Sequence, residues 1–220
     1  MMQAVWLSIV VSLLSTAIVV PVGTVAAWWL ARRKGMWRIV TETIVMLPIV
    51  LPPLCTGYLL LILFGQQGPL GAVWRTLGLE IPFSIIAAVL AAFAVSLPFM
   101  IRAAQVAFEG IDCDLEDAAR LMGASERDVF FKVTLPLAGR GVLAGGVLAF
   151  ARAFGEFGAT ILFAGSIAGK TRTVPLAIFH YFNIPGGEQQ VKMLMLAAVG
   201  VAALSMVAVH VLLPRPPVRR

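Results

Sequence analysis

Charge is what this sequence has least of. Asp, Glu, Lys and Arg together make up 13% of its 220 residues, against roughly 25% in an ordinary soluble domain. With 60% hydrophobic residues and a mean hydropathy of +0.95, soluble and multidomain readings are set aside in favour of an integral membrane one. There are two cysteines, Cys55 and Cys113, too isolated to suggest a disulfide or a metal site. The two histidines, His180 and His210, share no ligand spacing with each other or with the cysteines. No metal centre is therefore expected, and each histidine reads as structural or solvated. No complete Gly-x-x-x-x-Gly-Lys-Ser/Thr loop is present, so the chain is not expected to bind or hydrolyse ATP alone. No internal repeat is evident, and Glu156 is the only acidic residue well inside an apolar run. Both points count against an ion-coupled secondary transporter or a channel. No nucleophile–base set or metal cluster sits at the end of an apolar run, which counts against a membrane enzyme.

What is present is length of apolar run. Five segments can cross about 30 Å of hydrocarbon, near 6–31, 43–64, 79–101, 137–163 and 192–213. The chain is thus expected to be an all-α polytopic membrane protein, a single transmembrane domain over 1–220. Its start lacks a basic n-region and runs past the length of a cleaved signal, so it reads as a retained first span. Pro48, Pro52 and Pro53 predict a kink or a locally opened helix in the second span, packed against protein rather than facing lipid all round.

The basic residues orient the bundle. The surplus of 17 Lys+Arg over 11 Asp+Glu sits beside apolar runs, which points to topology rather than nucleic acid. Arg32, Arg33, Lys34 and Arg38 follow the first span, and Arg102, Arg120, Arg127, Lys132 and Arg140 lie between the third and fourth. Arg215, Arg219 and Arg220 close the chain in a basic tail, PRPPVRR, expected near the inner leaflet. The other side has only Arg75, Lys170, Arg172 and Lys192. The positive-inside rule then places the N-terminus outside and the C-terminus in the cytoplasm. Of the two external connections, 65–78 reads as a compact loop with a short interfacial helix around Trp74. Within 164–191, TVPLAIFHYF is too short to cross and is a re-entrant, interfacial or packed loop helix.

The cytoplasmic linker, 102–136, is longer than a membrane hairpin needs. In DLEDAARLMGASERDVFFKVTLP, residues 114–136, helical spacing places Leu115, Ala118, Ala119 and Met122 on one face. Glu116 and Arg120 stand four apart in the favourable order. Asp112 or Asp114 can cap the start and Gly123 can end the turn. Ser125 with Asp128 resembles a capping box for a second short helix, ERDVFFKV, after which Pro136 opens the fourth span. An amphipathic helix on lipid is the alternative. The small apolar face, the lack of an aromatic anchor and the acidic balance favour docking to a protein instead.

This segment resembles the cytoplasmic motif of permease subunits of bacterial ABC importers: Glu-Ala-Ala, three residues, Gly, nine residues, Ile, one residue, Leu-Pro. Here the match is Asp117, Ala118 and Ala119, then Gly123, then Val133, Leu135 and Pro136, with both gaps kept and Asp and Val as conservative departures. Residues 148–179, LAFARAFGEFGATILFAGSIAGKTRTVPLAIF, are similar to molybdate permeases of the ModB type. So are VLPPLCTGYLLL (50–61) and 96–125. Sulfate and tungstate permeases share much of the pattern, so the oxyanion stays open. The resemblance implies the type I importer permease fold and a homodimer of permease subunits. Two cytosolic ATPases would bind Mg and ATP below, and an external oxyanion-binding protein would dock above. It also implies that 111–123, within a coupling segment of about 111–135, is a coupling helix seated in the ATPase, with Leu115, Asp117, Ala118, Ala119, Met122, Gly123, Leu135 and Pro136 as its contact set.

Arg152 and Glu156 stand four apart in the fourth span, a spacing that permits an ion pair on one helix face. Two roles remain open: locking the span against its neighbours, or lining the outer part of a path where Arg152 attracts a dianion. Gly155 and Gly158, with Ala151 and Ala159, offer a small-residue surface for close packing or a dimer seam. Thr160 belongs to the same stretch. Lys170, Thr171 and Arg172 either steer an oxyanion or meet a binding protein, or are ordinary loop residues.

Overall fold

The computed structural model describes residues 1–76, 78 and 80–212, with backbone only at Ala72 and Arg75. The tail carrying Arg215, Arg219 and Arg220 and the side chain of Arg75 lie outside the described residues. The chain is all helical in what is described: α1 Met2–Arg32, α2 Met36–Val50, α3 Pro53–Phe64, α4 Gly71–Thr76, α5 Ile85–Glu109, α6 Cys113–Leu121, α7 Glu126–Val129, a π-helix Phe130–Thr134, α8 Leu135–Phe154, α9 Gly158–Phe163, α10 Val174–Phe182 and α11 Glu188–Leu212. Four stretches are long and apolar enough to cross a membrane: α1, α5, Glu126–Phe154 and α11.

The expected break in the second span falls at Pro52–Pro53, where the run divides into two helices, α2 and α3, meeting at 114°. Two consecutive prolines remove two N–H donors and hold the residue before each in extended conformation. Leu51 (φ −66°, ψ 139°) and Pro52 (φ −52°, ψ 133°) adopt that conformation, and Pro53 restarts the helix at its first turn. Pro48 lies inside α2 without breaking it. Packing against protein holds for α3, whereas α2 buries none of its residues.

The fourth span also differs. It begins earlier and ends earlier than 137–163, because α7 runs through the π-helix into α8 with no separate short helix. Pro136 cannot donate to a carbonyl one turn back, and its ring would strike that carbonyl. The preceding turn widens instead, and Leu135 N–H bonds Phe130 O, five residues earlier. At the other end the helix stops at Gly155, and α9 is a separate element.

The core is α1, α5 and α8 packed on one another. Close approach is set by glycines that sequence reading had passed over. A Cβ on Gly141 would lie 2.3 Å from Ala107 Cβ, and one on Gly145 2.9 Å from Met100 Sδ, so this small-xxx-small pair on α8 lets α5 approach at backbone distance. Around the trio, α3 crosses α9 so tightly that a Cβ on Gly57 would sit 2.6 Å from Ala159 O. Gly57→Val is expected to lever α3 off α9 and destabilise the protein by roughly 1–3 kcal/mol. The readout is the thermal midpoint in detergent, and an unchanged midpoint would show that the crossing yields freely. Of the two connections, 65–78 does contain a short helix, α4, whose Trp74 ring stacks 6.4 Å from Phe64. The TVPLAIFHYF segment forms α10, a packed loop helix with Val174, Leu176 and Ala177 buried and Val174 N–H donating to Ser8 Oγ at 2.7 Å.

Candidate functional site

Several of the basic residues expected to share one side are paired with carboxylates. Arg38 pairs with Glu109 at 2.6 Å and Arg102 with Glu42 at 2.8 Å, tying the start of α2 to the last turns of α5. Lys132 pairs with Asp128 one turn away. At this end α6 stands out as a short charged helix. Asp112 caps it, its Oδ1 accepting from Asp114 N–H at 3.0 Å. Gly123 closes it at φ +86°, a left-handed conformation that disfavours any side chain. Ser125 Oγ then accepts from Asp128 N–H at 3.2 Å and opens α7.

The faces of α6 differ from the expected set. Leu115, Ala118 and Met122 are exposed, and Leu121, absent from that set, is the most exposed of all at 90%. Ala119 is corrected: it points inward at 7% exposure, on the same side as Glu116. A nine-residue helix repeats its stripe loosely, and 118, 121 and 122 fit an outward stripe with 115 once the inner side is taken by 116 and 119. Asp117 is exposed and bound sideways, its Oδ1 accepting from Arg120 Nη1 at 2.7 Å. Leu135 is half-buried and packs into the core beside α1 and α5, while Pro136 is exposed.

Arg120 gathers the outer charges. Its Nε donates to Glu126 Oε1 at 2.7 Å, and the expected ion pair with Glu116 is present but looser, at 3.9 Å. The hydrogen bonds to Glu126, and then to Asp117, raise its pKa above the ordinary arginine value, so it stays cationic throughout. Glu116 makes its hydrogen bonds to residues remote in sequence. It is 5% exposed, and it accepts from Arg32 at the end of α1 and from the Thr134 hydroxyl in the π-helix.

The second constellation lies where α8 stops. Arg152 Nη1 is 2.6 Å from Glu156 Oε2. The two do not share a helix face, since Gly155 ends α8 and Glu156 lies beyond it. That position frees Oε1 to accept from Ala159 N–H at 2.7 Å, so one carboxylate both pairs with Arg152 and caps α9. Glu156 is 2% exposed, while Arg152 is about a quarter exposed at 27% of its side chain. Gly155 is exposed and terminates the helix instead of packing. Gly158 does pack, since its Cβ would lie 2.7 Å from Pro53 Cβ, and Ala159 and Thr160 are buried beside it.

The outer loop is self-bound. Thr171 is 1% exposed, its hydroxyl accepting from Ile167 N–H and donating to Gly165 O. Arg172 donates to Ser166 Oγ and Ser166 O, both at 3.2 Å, and Lys170 is exposed. The stretch AGSIAGKT at 164–171 approaches a phosphate-loop pattern. Its Lys170, Thr171 and Arg172 N–H groups all turn to Ile167 O, so they form no phosphate cradle.

The site is thus a capped helix with an exposed apolar face at the basic end of a helical membrane bundle. The family model described as "Binding-protein-dependent transport system inner membrane component" matches residues 4–215. The molybdenum transport system permease protein ModB of Escherichia coli K12 is 43% identical over 205 residues, covering 93% of this chain and 90% of that one. The chain belongs to this family, among its ModB-type permeases. The ModB of Haemophilus influenzae is 42% identical over 205 residues, with the same coverage, and that of Azotobacter vinelandii 38% over 181, covering 82% and 80%. The MetNI methionine ABC transporter in inward-facing form has the same fold. It aligns with a TM-score of 0.73 at 18% identity, covering 97% of this chain and 96% of that one. Membership in this family makes the chain an inner-membrane, multi-pass component.

Proposed function

We propose that the chain is the non-catalytic membrane subunit of an ATP-driven importer that carries molybdate into the cytoplasm. It works as a homodimer, with two cytosolic ATPases that bind Mg and ATP, and with an external oxyanion-binding protein. The N-terminus is outside and the C-terminus cytoplasmic, so α6 faces the cytosol. The observation that carries this reading is α6 itself. Leu115, Leu121 and Met122 have nothing among the described residues to cover them, at 50%, 90% and 83% exposure, beside small Ala118. Apolar residues in that setting, on a helix whose charges are satisfied sideways and inward, suit a protein groove better than an anionic leaflet. The 43% identity to ModB along nearly the whole chain supports molybdate as the oxyanion.

Arg152 and Glu156 act chiefly as a lock. Both oxygens of Glu156 are engaged and buried, which leaves Arg152, with its exposed quarter, as the one member of the pair able to face an anion. Gly155 and Thr160 flank that point. Lys170 is an exposed outer-side charge suited to meeting a binding protein, whereas Arg172 is spent on its own loop.

The test is uptake by the complex reconstituted with its ATPase and binding protein in vesicles. Molybdate uptake should require ATP and the binding protein, and excess sulfate should compete weakly. Uptake without ATP would point to an ion-coupled carrier. Preferential uptake of tungstate or sulfate would move the substrate assignment while leaving the mechanism.

A further inference from the structure

Glu116 is the one carboxylate at the basic end that is buried, at 5% exposure, among the described residues. A buried carboxylate is tolerated only when paired and hydrogen-bonded. Besides Arg120 of its own helix at 3.9 Å, its partners come from other elements, Arg32 from the last turn of α1 and Thr134 from the π-helix that leads into α8. Those elements are also joined behind it. The Arg32 guanidinium lies 5.1 Å over the Trp28 ring, and Trp28 meets Phe130 edge-on at 5.0 Å. Trp28, Arg32, Glu116, Thr134 and Phe130 therefore close a ring around one carboxylate.

The covalent joints of α6 are its soft points. Gly110 precedes it at the end of α5, and Gly123 follows it at φ +86° with open space around it. A push on Leu115, Leu121 and Met122 would bend these joints unless α6 is held from within. On the outer side Arg120 clasps Glu126 of α7 in the exposed charge cluster; the inward holds are Ala119, a single methyl, and the Glu116 ring. The clasps of Arg38 with Glu109 and Arg102 with Glu42 join α2 to α5 and bypass α6 altogether.

We propose that Glu116 is the positioning residue through which displacement of α6 reaches α1 and the root of α8. This rests on the reading of α6 as the ATPase-facing helix. In the wild type the buried pair makes α6, α1 and the π-helix move as one body, so ATPase closure turns two of the three core helices. Loss of the charge leaves α6 docked but free to rock on its glycines.

The experiment measures molybdate taken up per ATP hydrolysed by the complete complex in vesicles, with co-purification of the ATPase and the thermal midpoint recorded alongside. Glu116→Gln keeps the size and can still accept from Thr134. It should co-purify with the ATPase and hydrolyse ATP, with uptake per ATP falling about tenfold. Thr134→Val, which spares the ion pair, should lose about threefold. The exchange Arg32→Glu with Glu116→Arg should recover part of the loss. Uptake per ATP at the wild-type level in Glu116→Gln overturns the proposal, even if its midpoint drops, because a purely structural role lowers stability and leaves the ratio alone. If Glu116→Gln fails to assemble, Thr134→Val decides: an unchanged ratio there overturns the proposal equally. A wild-type complex that takes up no molybdate under ATP refutes the importer reading instead, so the two failures are distinguishable.

Discussion

Arg152→Met is expected to destabilise the protein by about 3–5 kcal/mol, the usual consequence of leaving a buried charge without its partner. Glu156 is 2% exposed and keeps only the Ala159 N–H when Arg152 is gone. Removing both charges, as Arg152→Met with Glu156→Leu, should be less harmful than the single change, since no unpaired carboxylate remains. Recovery will not be complete. Glu156 Oε1 also caps α9, and loss of such a cap costs about 1 kcal/mol. Glu156→Gln, which can keep the cap, should fall between wild type and the single Arg152 variant. Denaturation midpoints in detergent give the order. Equal loss in the single and double variants would show that the pair contributes little and that Arg152 matters for another reason.

Leu121→Asp should leave the fold intact and remove the ATPase. The side chain is 90% exposed, and surface changes of this kind usually alter stability by no more than about 0.5 kcal/mol. Set in the middle of a docking face beside Leu115 and Met122, an added carboxylate should lower affinity by about 2 kcal/mol or more, roughly thirtyfold. Ala119→Leu makes the opposite case. Its methyl is packed inward, so added bulk should lower the thermal midpoint before it touches docking. Pull-down of the ATPase together with the midpoint separates the two. A Leu121→Asp protein that retains its ATPase and full uptake would remove α6 from the docking surface.

Some of this was legible because it depends on neighbours within a turn. Asp112, one of two cap candidates, the corner at Gly123 and the Ser125 cap on Asp128 N–H are all found, because capping involves residues two or three apart. Helix phase was half legible. Spacing tells which residues share a face but not which face turns inward. Spacing therefore groups Ala119 with the docking residues and omits Leu121, and the inward partners of Glu116 reverse both.

Hydropathy located the apolar runs of α1, α5 and α11, yet it is blind to breaks. Both arms at Leu51–Pro52 are apolar, so hydropathy runs straight through; the paired prolines mark the break but not its 114° angle, and the stop at Gly155 lies inside an apolar run in the same way. The amino-acid sequence by itself determined that this is a helical membrane protein with a capped, charged helix between its third and fourth apolar stretches. Only the tertiary structure decided what that helix holds on to. Arg32 is 84 residues from Glu116, and the partner of a buried charge is chosen by which helices pack together, a long-range outcome that no local pattern of residues contains.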